Sequence, residues 1–195
     1  MTSAAHSPSR NLGQDTIIVL VGLMGAGKSC VGRRLALRLD IPFIDADMEV
    51  EAAAGCSIVD IFEQYGEEAF RDGERRVIAR LLDGPPSIIA TGGGAFIDEQ
   101  TSALIADKAL SVWLRADLET LVSRTSGRSH RPLLNDSDPR EILSALIDQR
   151  YSVYAEADIV VDTGLDSANV TCERVIDALA DHIPSAKMPR DSDMS

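Results

Sequence analysis

Along this chain, apolar and polar positions switch repeatedly between a strand rhythm and a helix rhythm. Residues 16–21 form a continuous β-branched and leucine run, the pattern of a strand buried on both faces. From about residue 28 to 39 the rhythm is helical, with Leu35 and Leu39 four apart. Residues 42–45 predict a short second strand. Ser57-Ile-Val-Asp60 has the form of a capping box opening a helix. Another helix is predicted over about 66–82, with Phe70, Val77, Ile78 and Leu81 along one side. Residues 87–91 predict a third strand that runs into Gly92-Gly93-Gly94. A helix over 98–106, a strand over 110–114 and a helix over about 118–124 follow. Residues 127–137 are polar and basic without apolar periodicity, the pattern of a mobile loop. Asp138-Pro139 then opens a helix, with Asp as N-cap, Pro at the first position and Glu141 in the first turn. A fifth strand over 159–161 and a last helix over 168–179 complete the pattern. Alternating βα units predict an α/β fold, a parallel sheet with helices on both faces.

Length and charge narrow the picture. The 195 residues suit one domain, placed at about 15–183, between a Ser/Ala/Pro-rich tail over 1–14 and a polar tail over 184–195. A formal net charge of −12 repels nucleic-acid backbones and anionic membranes, so neither is an expected partner. An anionic ligand must then be captured by a few local cations. Cys30, Cys56 and Cys172 are odd in number and form no CxxC pair, which points to free thiols in a reducing compartment. No apolar run reaches membrane-spanning length, and the run over 17–21 is too short for a signal peptide, so a cytoplasmic protein is expected. A small single domain defaults to a monomer.

Gly22-Leu-Met-Gly-Ala-Gly-Lys-Ser29 fits the Walker A spacing, with a buried strand before it and a helix after it. Average residue frequencies produce this pattern by chance in about 1% of chains this long. Glycines let successive N–H groups turn toward phosphate oxygens at a helix N-terminus. Gly25, Ala26, Gly27, Lys28, Ser29 and Cys30 are therefore the candidate ATP contacts. Lys28 is placed on the β/γ-phosphates and the Ser29 hydroxyl on Mg²⁺.

Asp45 and Asp47 follow the second strand, and ligands of open α/β sheets sit outside strand carboxyl ends. Two carboxylates there can divide the labour, one on the metal's water shell and one on an attacking hydroxyl. Alternatively, one of them is the N-cap of a helix starting near Met48. Arg71 flanks the apolar side of its helix, and Arg150 follows Leu146 and Ile142 on the apolar side of its own. An arginine so placed requires an anion, either a ligand or an internal carboxylate. Arg128 and Arg131 stand in the polar loop, suited either to closing over phosphates or to plain solvation. The three glycines 92–94 can either donate N–H groups to a ligand or form an ordinary turn. Trp113 is assigned to the core, and His6, His130 and His182 form no catalytic pattern.

Taken together, five segments resemble the shikimate kinase family. They are Gly-Leu-Met-Gly-Ala-Gly-Lys-Ser (22–29), Phe-Ile-Asp-Ala-Asp (43–47), Ile-Phe-Glu-Gln-Tyr-Gly-Glu-Glu-Ala-Phe-Arg (61–71), Gly-Gly-Gly-Ala (92–95) and Arg-Pro-Leu-Leu (131–134). Arg150 and Tyr154 fit the family's pattern on the next helix, and the resemblance spans about 16–180. It implies a nucleoside-monophosphate-kinase-like, three-layer fold with a five-stranded parallel sheet in the order 2-3-1-4-5 and a lid at about 127–138. It implies transfer of the ATP γ-phosphate to the 3-hydroxyl of shikimate, giving ADP and 3-phosphoshikimate in chorismate and aromatic amino-acid synthesis. By position, Asp47 is implied to contact the substrate hydroxyls and act as base, and Arg71 and Arg150 to hold the carboxylate. Gly93 is implied to donate from its backbone, Asp45 to reach Mg²⁺ through water, and Arg131 to act on ATP as the lid arginine.

One stretch departs from the family. Many members carry an arginine just after the last strand, near adenine, whereas Asp162-Thr-Gly-Leu-Asp166 has no basic residue. Adenine is then expected to rest on backbone and aliphatic groups. The nearest rival is another small-metabolite P-loop kinase such as a gluconate kinase; the glycine run and Arg-Pro-Leu-Leu favour shikimate. A non-catalytic nucleotide-binding regulator would lack the acid pair or Arg131, and all three residues are present.

Overall fold

The structure, a computed structural model, describes residues 16–125 and 138–182. The expected tails and, apart from Asp138, the expected lid lie outside those residues, and so do Arg128 and Arg131. The chain runs through β1 (Ile18–Val21), α1 (Lys28–Leu39), β2 (Phe43–Asp45), α2 (Ala46–Ala54) and α3 (Ile58–Leu82). It continues through β3 (Ile88–Ala90), a 3₁₀ turn at Ala95–Ile97, α4 (Glu99–Lys108), β4 (Leu110–Ala116) and α5 (Leu118–Thr125). After the undescribed stretch come α6 (Pro139–Tyr154), β5 (Ile159–Thr163) and α7 (Ala168–His182).

All five strands are parallel, in the order β2-β3-β1-β4-β5. β1 is central because none of its four side chains has a polar partner to seek, and all four are fully buried. Successive strand residues point to opposite faces. On one face Gly32 of α1 lies so close to Phe43 and Leu20 that a Cβ there would sit 2.6 Å from the Phe43 ring. On the other face Trp113, in register with Val21, packs edge-on to Tyr151 of α6 at 4.9 Å between ring centres. Helices α1 and α6 therefore cover opposite faces. β5 is an edge strand, and its burial alternates with Val160 exposed. Among the described residues no helix is long and apolar enough to cross a membrane.

Several elements differ from expectation. The predicted 66–82 helix and the one opened by the capping box abut as α3, whose backbone breaks at Gly66 (φ 82°, ψ 174°). Ser57 caps it as predicted, with the Asp60 N–H donating to Ser57 Oγ at 3.1 Å and the Ser57 N–H donating to Asp60 Oδ2 at 3.1 Å. Helix α2 begins at Ala46, two residues before the weighed start near Met48. β4 and β5 extend two residues past their predicted ends, to Ala116 and Thr163, where they pair in register. A separate small core of Val50, Ile61, Phe70 and Val77 joins α2 to α3, apart from the main core around the sheet.

Candidate active site

The sequence candidates that fall among the described residues gather around the carboxyl ends of β1, β2 and β3. β1 ends at Val21 and the chain enters the Gly22–Ser29 loop, which turns into α1. Gly27 occupies the N-cap position of α1 in the left-handed region (φ 99°), so only glycine enters the helix here without strain. Lys28 Nζ folds back over the loop and donates to Gly22 O at 2.7 Å and Leu23 O at 3.0 Å. Cys30 is exposed on the first turn of α1, where its sulfur accepts from Arg34 Nη1 at 3.1 Å.

Asp45 settles one of the open alternatives. It stands at the N-cap position of α2 but makes no side-chain cap. Its Oδ2 instead accepts from Ser29 Oγ at 2.9 Å, across 16 residues of sequence. Asp47, in the first turn of α2, lies over Gly92: a Cβ on Gly92 would sit 2.7 Å from Asp47 Oδ1 and 3.0 Å from Glu74 Oε1. The glycine leaves room for two carboxylates side by side.

Glu74 is a residue the sequence reading passed over. It is 3% exposed and pairs with Arg71 Nη1 at 2.7 Å. Burial pushes its carboxyl above the ordinary range, Arg71 opposes that, and the nearby charges of Asp47 and Asp98 push the same way as burial. The signal was available, since Glu74 falls four residues after Phe70 on the apolar side of its helix and three after Arg71. Burial works to lower the pKa of the Arg71 guanidinium, but the hydrogen bonds and charges of Glu74 and Glu67 outweigh it and hold the value above normal. Arg71 also rests against the glycine run, since a Cβ on Gly94 would meet its Nη2 at 2.5 Å. Arg150 reaches the same run from α6 and donates from Nη1 to Gly93 O at 3.0 Å. Tyr154, which is buried, donates its hydroxyl to the same oxygen. Gly93 in turn abuts the phosphate loop, with Met24 N 3.4 Å from where its Cβ would be. Arg71 and Arg150 are thus brought from two helices onto one three-residue turn.

Arg124, at the end of α5, was also missed. Its Nη1 donates to Gly25 O at 3.3 Å, Ala26 O at 3.1 Å and Thr163 Oγ1 at 3.2 Å, while Nη2 donates to Gly164 O. A cation therefore stands at the turn after β5, although residues 162–166 contain none. Sequence spacing could not show this, because 39 residues separate Arg124 from Thr163. The acids of that turn are occupied by other arginines, Asp162 by Arg115 at 2.6 Å and Asp166 by Arg174 at 2.8 Å.

This geometry has close relatives. The shikimate kinase family pattern matches residues 24–180. A shikimate kinase of Paramagnetospirillum magneticum is 59% identical over 170 residues, covering 87% of each chain. The solved shikimate kinase of Acinetobacter baumannii in complex with shikimate superposes with a TM-score of 0.85 at 32% identity, covering 91% of this chain and 99% of that one. A gluconokinase of Sinorhizobium meliloti superposes with a TM-score of 0.57 at 18% identity, covering 86% of this chain and 93% of that one, a likeness of fold alone.

Proposed function

The chain belongs to the shikimate kinase family, and from that premise we propose how its own residues divide the work. The enzyme is an ATP-dependent phosphotransferase acting on shikimate, in aromatic amino-acid biosynthesis. The observation that carries the residue assignments is the convergence on Gly92–Gly94. Asp47 lies over the first glycine, Arg150 is bonded to the second, Arg71 packs on the third, and the phosphate loop abuts the second.

The substrate carboxylate sits between Arg71 and Arg150, where two guanidinium groups offset its charge in an otherwise acidic protein. The ring hydroxyls then face Asp47, which accepts a hydrogen bond from the attacking hydroxyl and aims it at the γ-phosphate. Phosphoryl transfer passes through a loose transition state, so aim and charge stabilisation matter more than the strength of the base. Lys28 leaves its two carbonyl partners for the phosphates, a stronger charge-assisted interaction. Gly25 to Cys30 cradle the phosphates from the backbone, and Arg124 borders the nucleotide's base end. Arg131 keeps its assignment to ATP from the family resemblance alone.

Ser29 and Asp45 fit Mg²⁺, because a hydroxyl and a carboxylate oxygen held 2.9 Å apart are hard oxygen donors beside the phosphate cradle. Ser29 would ligate the ion directly and Asp45 through water. Held there, the ion would supply positive charge against the negative charge that develops on the phosphates during transfer. The three thiols are unpaired, which suits a reducing, cytoplasmic location, and the protein acts as a monomer.

Coupled ADP-release assays with shikimate, gluconate and no acceptor test this reading. Release should require shikimate and exceed the gluconate rate by orders of magnitude. Comparable rates with gluconate would overturn the acceptor site described above.

A further inference from the structure

We propose that Tyr154 is the positioning residue of the carboxylate subsite: its hydroxyl holds the Gly93 carbonyl, and that carbonyl holds the Arg150 guanidinium at the angle the substrate meets. The inference rests on the reading that Arg150 binds the substrate carboxylate. The two cationic side chains of the subsite are held in different ways. Arg71 is flanked by Glu74 and Glu67, which fix its guanidinium from two sides. Arg150 makes no ion pair among the described residues; it donates to a neutral carbonyl, Gly93 O at 3.0 Å, and also meets the neutral Tyr154 hydroxyl. Its charge is left for an anion, but its orientation depends on where that carbonyl points.

The Gly93–Gly94 peptide is poorly restrained by its own chemistry. Neither residue has a side chain to limit rotation, so the peptide plane can turn at little steric cost. Tyr154 supplies the restraint. It lies four residues after Arg150, on the same side of α6, and both side chains converge on Gly93 O. Its ring is 1% exposed and boxed by Phe96, Trp113 and Tyr151, with centroids at 6.4, 5.8 and 6.3 Å. The ring cannot swing away without opening the core. Burial pushes the phenol up to about 12, so the hydroxyl remains a donor throughout the physiological range. A trans peptide sets its N–H opposite its carbonyl, so the same bond also fixes the direction of the Gly94 N–H.

Tyr151 provides a matched control. It belongs to the same aromatic cluster, but its hydroxyl donates to Ala116 O on β4, away from the glycine run. Shikimate affinity by equilibrium dialysis, together with separate KM and kcat values, should be compared in Tyr154→Phe, Tyr151→Phe, Arg150→Met and the Tyr154→Phe/Arg150→Met double variant. Loss of one buried hydrogen bond should weaken shikimate binding about fivefold in Tyr154→Phe. The ATP KM should stay within about twofold, and Tyr151→Phe should match the parent. In the Arg150→Met background the Tyr154 change should add less than about twofold, since the group it orients is gone. Should Tyr154→Phe fold poorly, 4-aminophenylalanine at position 154 keeps a donor on the ring and should bind shikimate as the parent does. Equal shikimate affinity in Tyr154→Phe and Tyr151→Phe, or a Tyr154→Phe loss undiminished in the double variant, overturns the positioning role while leaving the Arg150 assignment intact. Unchanged affinity in Arg150→Met overturns the carboxylate reading and the inference together.

Discussion

Asp47 and Glu74 meet over Gly92, and Glu74 is salt-bridged to Arg71. In the proposed division of work, Glu74 holds Arg71 and Asp47 meets the acceptor hydroxyl. Asp47→Asn keeps the shape and removes the charge, so kcat should fall by about 10²–10⁴-fold while ATP affinity barely changes. Steady-state kinetics and nucleotide titration check both halves, and parent-like turnover would remove Asp47 from the chemistry. Arg124 makes the opposite prediction. Arg124→Met frees the carbonyls of Gly25 and Ala26, so the ATP KM should rise about tenfold while the shikimate KM holds. Tyr154 ties a residue to the pH range of stability. Its folded pKa lies above the unfolded value of 10.0, so its contribution is complete below pH 10 and is lost as pH rises through about 12. Urea denaturation from pH 8 to 12 should show the parent losing up to about 2 kcal/mol relative to Tyr154→Phe. A constant difference across that range would contradict the assigned burial.

At the scale of elements, α3 is the informative case. The capping box and the apolar period were both legible, and each marks one half of the element. The break between them lies at Gly66, in a backbone region open almost only to glycine. Nothing lies within 4 Å of a Cβ added there, so any cost of Gly66→Ala is backbone strain and not crowding. The variant should lose about 1–3 kcal/mol in urea denaturation, and a neutral result would mean that the break can straighten. Helix α2 was harder to read. It has nine residues, four of them alanine, and buries only Ala46 and Val50, so its apolar period is faint. Strand ends were set by pairing. Ala116 and Thr163 belong to β4 and β5 because each supplies the other's ladder, a long-range condition that a local window does not contain.

For the whole molecule, the order of the strands brings the phosphate loop, Asp47 and the glycine run to one edge of one sheet. β1 and β3 are direct neighbours and β2 lies beside β3, so three segments far apart in sequence end side by side. A ligand that bridges them stabilises the native state as a unit. Shikimate at about 100 times its Kd should add about 2.7 kcal/mol and raise Tm by about 5–10 °C. Gluconate at the same concentration should not, and Arg150→Met should abolish the shikimate shift in differential scanning calorimetry. An equal shift with both acids would indicate a carboxylate site without ring selectivity.

Local sequence alone determined the central buried strand, the phosphate loop with its helix, the capping box and the candidate residues, because each depends on neighbours a few positions away. Tertiary structure decided which acid serves which partner. Asp45 turned from capping α2 to meeting Ser29, Glu74 took up Arg71, and Arg124 filled the basic position that the turn after β5 lacks. It also decided that Arg150 is held by a carbonyl and not by a carboxylate. The physical reason is the same in each case. A charge buried by packing must find its partner across space, and spacing along the chain does not record which strand ends will be adjacent.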